Sequence, residues 1–199
     1  RIRPFVTGVI AKNGKIDDKT IKQLMTMQED LHFGIGRKRK KSSIGIHDLD
    51  KISFPLVYTT TNKNHKFIPL NSEKELDISE ILDTTDVGKD YGSLLGQSSQ
   101  VPIILDEKQN TVSFPPIINA SVTTVTTKTK NLFVEVTGLN KDDAEDMLSV
   151  VATVLQSAGF TLESVKITGA KNSSPKLEYR KMIVNPSLIN QILGLNLSS

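Results

Sequence analysis

Cysteine is absent from the 199-residue chain. That excludes disulfide frameworks, thiolate nucleophiles and zinc–thiolate sites, and it fits a reducing compartment. No apolar run approaches the roughly 20 residues needed to span a bilayer, and the N-terminal stretch RIRPFVTGVIAKNGK lacks a small-residue cleavage pattern. The expectation is a cytoplasmic globular protein with no membrane partner. Also missing are the P-loop, GxGxxG, HExxH and GxSxG patterns, and His32, His47 and His65 lack the close spacing of a helical metal pair. Metal and triad chemistry are therefore disfavoured, which leaves acids, hydroxyls and histidines.

What is present is an ordinary 37% hydrophobic content and a formal net charge of +3, unevenly spread. Five consecutive cations stand at Arg37, Lys38, Arg39, Lys40 and Lys41, while the acids are scattered. Such a local basic patch can hold phosphates by charge and bidentate hydrogen bonds. It can equally be a solvated face whose cations suit the end of the preceding helix. Both readings stay open on pattern alone.

Helical spacing of Ile21, Leu24, Met25, Met27 and Leu31 behind Asp17 or Asp18 predicts a helix that ends at Gly34 and Gly36. SSIGIHDLDKI, LVYTTT and KFIPL read as short strands, and DISEIL as a short helix opened by a capping box from Asp77 to Glu80. Residues 83–100 read as loop. VPIIL and TVSF flank the polar DEKQN as a hairpin, and NLFVEVTG is a further strand. NKDDAEDMLSVVATVLQSAGF predicts the strongest helix. Asp142 and Glu145 form its capping box, Met147, Leu148, Val151, Val154 and Leu155 its apolar face, and Gly159 its stop. LESVKITG follows as a strand. Strands alternating with two longer helices, without regular βαβ spacing, predict an α+β fold with mixed, mostly antiparallel sheets.

Small and polar residues cluster at GAKNSSPK, Gly169 to Lys176, and set a boundary there. Beyond it LEYRKMIV is strand-like, and NPSLINQILGL is a helix with Asn185 as cap, Pro186 at its first position and Gly194 at its end. The expected division is one unit over 1–168, and a linker with the start of a following domain over 169–199. The chain begins with Arg rather than Met and ends just after that helix, so it reads as a piece of a longer one.

Three stretches carry candidate chemistry. GIHDLDKI groups His47, Asp48 and Asp50, either an acid–base cluster or, more commonly, a turn whose carboxylates cap backbone N–H groups. In LFVEVTG, period-2 alternation puts Leu132, Val134 and Val136 on one face and Phe133, Glu135 and Thr137 on the other. If the aliphatic side meets the core, the second face offers a ring, a carboxylate and a hydroxyl in line; from pattern alone it faces water. In SFPPIIN, Pro115 and Pro116 have no N–H to donate, so the ladder must stop or bend just after Ser113.

GRKRKKSSIGIHDLDKI, FIPLNSEKEL, SFPPIIN followed by TKNLFVEVTG, and LEYRKMIV with LINQILGL together resemble the β subunit of phenylalanyl-tRNA synthetase in its archaeal and eukaryotic cytosolic form. The resemblance covers almost the whole chain, in the family's order. It implies an editing module that hydrolyses tyrosine wrongly esterified to phenylalanine tRNA. It also implies an intact enzyme of two α and two β subunits, and no cofactor in this fragment, ATP and Mg belonging to the other subunit. The family's editing pocket falls on Ile104, Ser113, Glu135 and Thr137, with tyrosine as the editing ligand and Arg37 to Lys41 as contacts to tRNA(Phe). Many archaeal members carry Asp where Glu135 stands. With no catalytic residue assigned, hydrolysis by a positioned water is the expected chemistry, assisted by the tRNA's terminal ribose hydroxyl. The alternative is a noncatalytic RNA-binding or subunit-assembly module, which a filled core at Ser113 and Glu135 would favour and an open cavity would not.

Overall fold

A computed structural model describes residues 3–169, 174–175, 183 and 185–196. In chain order the elements are β1 (Phe5–Lys12), α1 (Asp18–Phe33), β2 (Ser42–Asp48), β3 (Val57–Asn62), β4 (Lys66–Phe67), β5 (Leu76–Asp77), α2 (Ile78–Thr84), α3 (Asp86–Tyr91), β6 (Gln100–Leu105), β7 (Thr111–Phe114), β8 (Ile118–Asn119), β9 (Leu132–Gly138), α4 (Lys141–Ser157), β10 (Thr161–Ser164) and α5 (Pro186–Leu193). Two four-stranded sheets, ordered β10-β1-β9-β2 and β3-β6-β7-β8, and a small β4-β5 pair are antiparallel throughout. The α+β expectation is borne out.

Each large sheet has its own apolar core. Leu132, Val134 and Val136 of β9 pack with Val9 and Ala11 of β1 against α4, whose Ala144, Met147, Leu148, Val151 and Leu155 are buried, and Leu24 of α1 joins them. On the second sheet, Val101, Ile103 and Phe114 pack with Ile78 and Ile81 of α2. Between the two layers lie the opposite faces of the sheets, and these carry polar groups. The fold therefore has two oily cores and a polar seam.

Several sequence expectations need correction. Residues 83–100 are not loop: Thr85 accepts a hydrogen bond from Gly88 N and restarts the chain as α3, followed by a 3-10 turn over Gly92–Leu95. Gly88 permits close approach there, since a Cβ on it would lie 2.2 Å from Ile81 O. Residues 5–12 carry no element in the sequence reading but form β1, the strand between β9 and β10. The cap of α4 is Asn140, whose side chain accepts from Asp142 N at 2.8 Å. Asp142 thus lies inside the first turn, where its charge suits the dipole, and Val154 lies 41% exposed off the apolar face. The Asp77–Glu80 capping box, the Asp17 cap of α1 and the Asn185 and Gly194 ends of α5 are as expected. Apart from Ile183, the strand expected over 177–184 lies outside the described residues.

Face assignment on α4 predicts a contrast between two truncations. Leu148→Ala, at a fully buried position, should lower unfolding free energy by about 2–5 kcal/mol. Val154→Ala on the outer face should change it by less than about 1 kcal/mol. Urea denaturation of both variants checks this, and equal losses would mean that the helix is turned differently on its sheet.

Candidate functional site

The seam is organised by β9, the strand flanked by β1 and β2. In register, Gly8, Glu135 and Gly45 stand side by side, as do Ile10, Phe133 and His47, and Val6, Thr137 and Ser43. Phe133, Glu135 and Thr137 do not face water: all are buried, because the second sheet covers them. Gly45 clears the room that the Glu135 carboxyl occupies, whereas a Cβ on Gly8 would meet Val134 O at 3.0 Å and the Phe133 ring at 3.2 Å. A Cβ on Gly45 would lie 2.5 Å from Glu135 Oε1, 2.6 Å from His47 Nε2 and 3.1 Å from Asn119 Oδ1. Three polar atoms thus converge over one bare stretch of backbone.

From the other sheet, Ser113 Oγ donates to Glu135 Oε1 at 3.0 Å. Ser113 is placed by the diproline turn. The ladder of β7 halts at Pro115 and Pro116, Ile117 N donates to Phe114 O at 2.8 Å, and β8 resumes pairing with Asn119 opposite Ser113. Ile104 lies across β6–β7 from Ser113 and is buried. A cavity of about 200 Å³ opens here, lined by Ser113, Glu135, Asn119, the two prolines and, from α1 and the following loop, Gln28, Glu29 and Arg39.

Charge at the site is unusual. Burial raises the Glu135 carboxyl to about 7, against the opposing pull of the Ser113 hydrogen bond and the Arg3 guanidinium. Its Oε2 is buried with no hydrogen-bond partner among the described residues. His47 is fully buried and pushed down to about 3 by desolvation, so its ring is neutral. Thr123 Oγ1 lies 2.8 Å from His47 Nδ1 and 3.2 Å from Ala120 O. His47 Nε2 faces the space over Gly45, also without a partner among the described residues. Asp48 and Asp50 follow the commoner reading: Asp48 accepts from Asp50 N and Thr129 Oγ1, and Asp50 from Asn131 Nδ2.

Thr137 is close but differently employed. Its Oγ1 accepts from Arg3 Nε at 3.2 Å and is 3.1 Å from Ser43 Oγ, so the hydroxyl is committed within the protein. Neither it nor Ile104 lines the cavity. The basic run divides as well. Arg37, Lys38, Lys40 and Lys41 are exposed, whereas Arg39 turns inward. Its guanidinium lies 4.4 Å over the Tyr91 ring, donates to Ile117 O at 2.9 Å and pairs with Glu29 at 3.0 Å. Expecting all five cations at the surface is therefore wrong for Arg39. That pairing, with a hydrogen bond from the buried, neutral His32, holds Glu29 down to about 2.

The phenylalanine–tRNA ligase β subunits of Sulfurisphaera tokodaii and Archaeoglobus fulgidus are each 39% identical to this chain, over 98% and 100% of it. An N-terminal fragment of the phenylalanyl-tRNA synthetase β subunit from Pyrococcus horikoshii matches with a TM-score of 0.88 at 34% identity, covering 99% of this chain and 58% of that one. A model of the B3/4 domain family matches residues 20–148. The chain belongs to the B3/4 domain family. It spans 37% and 36% of the length of the two curated relatives.

Sequence alone did not single out Gly8, Gly45, Asn119, Glu29 or the inward role of Arg39, and it grouped His47 with Asp48 and Asp50 rather than beside Glu135. A signal was present for the glycines: each interrupts a strand-like run, VTGVI and SIGIH, where a lone glycine marks close approach of another group. Nothing local distinguishes Glu29 from other helix-surface acids.

The raised Glu135 pKa has a definite sign for stability. An unfolded carboxyl titrates near 4.5, the folded one near 7. Between these values the folded state binds the extra proton, so stability falls as pH rises through the window and the whole cost is present above 7. Glu135→Gln should therefore stabilise the protein at pH 8 by about 1–3 kcal/mol and by much less at pH 5. Urea unfolding at both values checks it. A gain equal at the two pH values would mean that Glu135 does not titrate in that window.

Proposed function

We propose that the seam cavity is an editing site that hydrolyses tyrosine esterified to phenylalanine tRNA. The observation that carries this reading is the Glu135 carboxyl, pinned through Oε1 by Ser113 and unpartnered at Oε2 beside an open cavity. A pocket built for Phe rejects a ligand that merely adds a hydroxyl by only about 10²-fold. A second site gains selectivity by making that hydroxyl necessary. The phenol donates to Glu135 Oε2; Phe leaves the acceptor unpaired at a cost. The cavity volume, below the roughly 300–1,000 Å³ of drug-sized sites, suits one amino-acid residue.

Ser113 positions the carboxyl and is itself held by pairing with Ile104, which lies outside the cavity lining. Thr137 acts through Arg3 and Ser43 and does not contact the ligand. Hydrolysis proceeds by a positioned water whose oxygen attacks the ester carbonyl. The bond to the ribose oxygen breaks, and tyrosine and uncharged tRNA are released. The terminal ribose hydroxyl assists, and positioning supplies much of the rate. Residues 1–168 form this editing unit and 169–199 lead into the next β-subunit domain. The working enzyme pairs two α with two β subunits, and ATP and Mg are used on the α subunit.

Glu135→Ala in the intact enzyme should erode the preference for Tyr-tRNA(Phe) over Phe-tRNA(Phe) in deacylation by about 10- to 150-fold, the value of one hydrogen bond to a charged group. Glu135→Gln, which keeps an acceptor, should lose less. Deacylation of both charged tRNAs, wild type beside the two variants, is the measurement. A folded Ala variant with wild-type preference would remove Glu135 as the reader of the hydroxyl.

A further inference from the structure

The seam accounts for Arg39 but not for the rest of the basic turn, nor for the aromatic residue beside it. Phe33, the last residue of α1, is 69% exposed. A lone exposed apolar side chain needs no explanation, but this one is not alone. The Lys38 ammonium stands 5.6 Å from its ring centroid, and Arg37 and Lys40 are exposed on the same turn.

The turn is built to hold that arrangement. Arg37, Lys38 and Arg39 all have left-handed backbones, with φ of 50°, 53° and 62°, a conformation that non-glycine residues seldom adopt. Backbone bonds from Arg39 N to His32 O and from Lys41 N to Gly36 O close it. From below, the buried Arg3 guanidinium donates to Arg39 O and Lys40 O. Phe33 and Glu29 are one helical turn apart on α1, on neighbouring positions of one face. Glu29 lines both the seam cavity and a second recess of about 290 Å³ shared with Phe33, Lys38 and Tyr91. The acids there are Glu29, already paired with Arg39, and Asp30. Phosphates are therefore directed to the Lys38 side and away from Asp30.

We propose that Phe33 is a stacking platform for an unpaired RNA base, with Arg37, Lys38 and Lys40 holding the adjoining phosphates. Exposed aromatics interleaved with cations are the means by which proteins grip single strands, the ring taking any base face and the cations following the backbone. The occupant is the single-stranded acceptor end of a tRNA. Its ester-bearing terminal nucleotide lies at the seam cavity and a preceding base lies on Phe33. That placement rests on the editing reading; the stacking itself does not.

The chain contains no tryptophan, so Phe33→Trp introduces a single tryptophan at the platform, whose emission can be excited apart from the tyrosines. Titrating that variant with an uncharged RNA oligonucleotide ending in CCA should quench its fluorescence, while the same sequence in a blunt duplex should quench it far less. Phe33→Ala should weaken single-strand binding by about 5- to 150-fold, and Phe33→Leu, apolar but without a π face, should weaken it comparably. Phe33 packs little against the core, so unchanged thermal melting is expected for all three variants. Equal quenching by duplex, wild-type affinity in Phe33→Leu, or no quenching at saturating single strand would each overturn the proposal. Because the RNA is uncharged, the two readings fail separately. Stacking without deacylation removes editing, and deacylation with RNA affinity indifferent to Phe33 removes the platform.

Discussion

One carboxyl group, buried where two sheets face each other, sets the terms for much of what surrounds it. Placing Glu135 out of water costs enough to lift its pKa to about 7, and the neighbourhood is arranged to make that tolerable. Ser113 donates to one oxygen, Arg3 supplies a positive charge, and glycine at 45 removes the side chain that would otherwise crowd it. The aliphatic alternation of β9 fastens the same strand to α4 from behind. A residue so held cannot swing away to find water, and its free oxygen keeps one direction.

Arg3 extends this order outward. Its guanidinium touches Thr137, Ser43 and the carbonyls of the basic turn at once, and Tyr58 of the second sheet donates to its own carbonyl at 2.8 Å. A single residue near the start of the chain, by side chain and carbonyl together, thus joins both sheets to the loop that follows α1. Arg39 completes the link from the other end, reaching the carbonyls of the diproline turn. The two prolines, Arg39 and Glu29 become successive parts of one rim.

Much of this was legible in residues read one strand at a time. The alternation of LFVEVTG places Leu132, Val134 and Val136 correctly in a core, and the prolines of SFPPIIN announce the bend that positions Ser113. What was not legible depended on a second layer. Glu135 and Thr137 look solvated in a period-2 pattern because nothing in β9 itself tells of a sheet above it. The same holds for Arg39, indistinguishable from its four neighbours until Tyr91 and Ile117, more than fifty residues away, are folded against it. Helix caps fared better, being short-range physics, and even there Asn140 displaced Asp142 because the turn into α4 begins two residues earlier.

The two separate cores have a consequence for how such a site can change. Ser113 belongs to one layer and Glu135 to the other, so their 3.0 Å contact reports the spacing between sheets that are each filled independently. A substitution that thickens or thins either core, far from any ligand, shifts one wall of the cavity against the other by fractions of an ångström. If the cavity serves the proposed editing reaction, discrimination between ligands that differ by one hydroxyl is sensitive on that scale. Selectivity would then drift through residues that never touch the ligand.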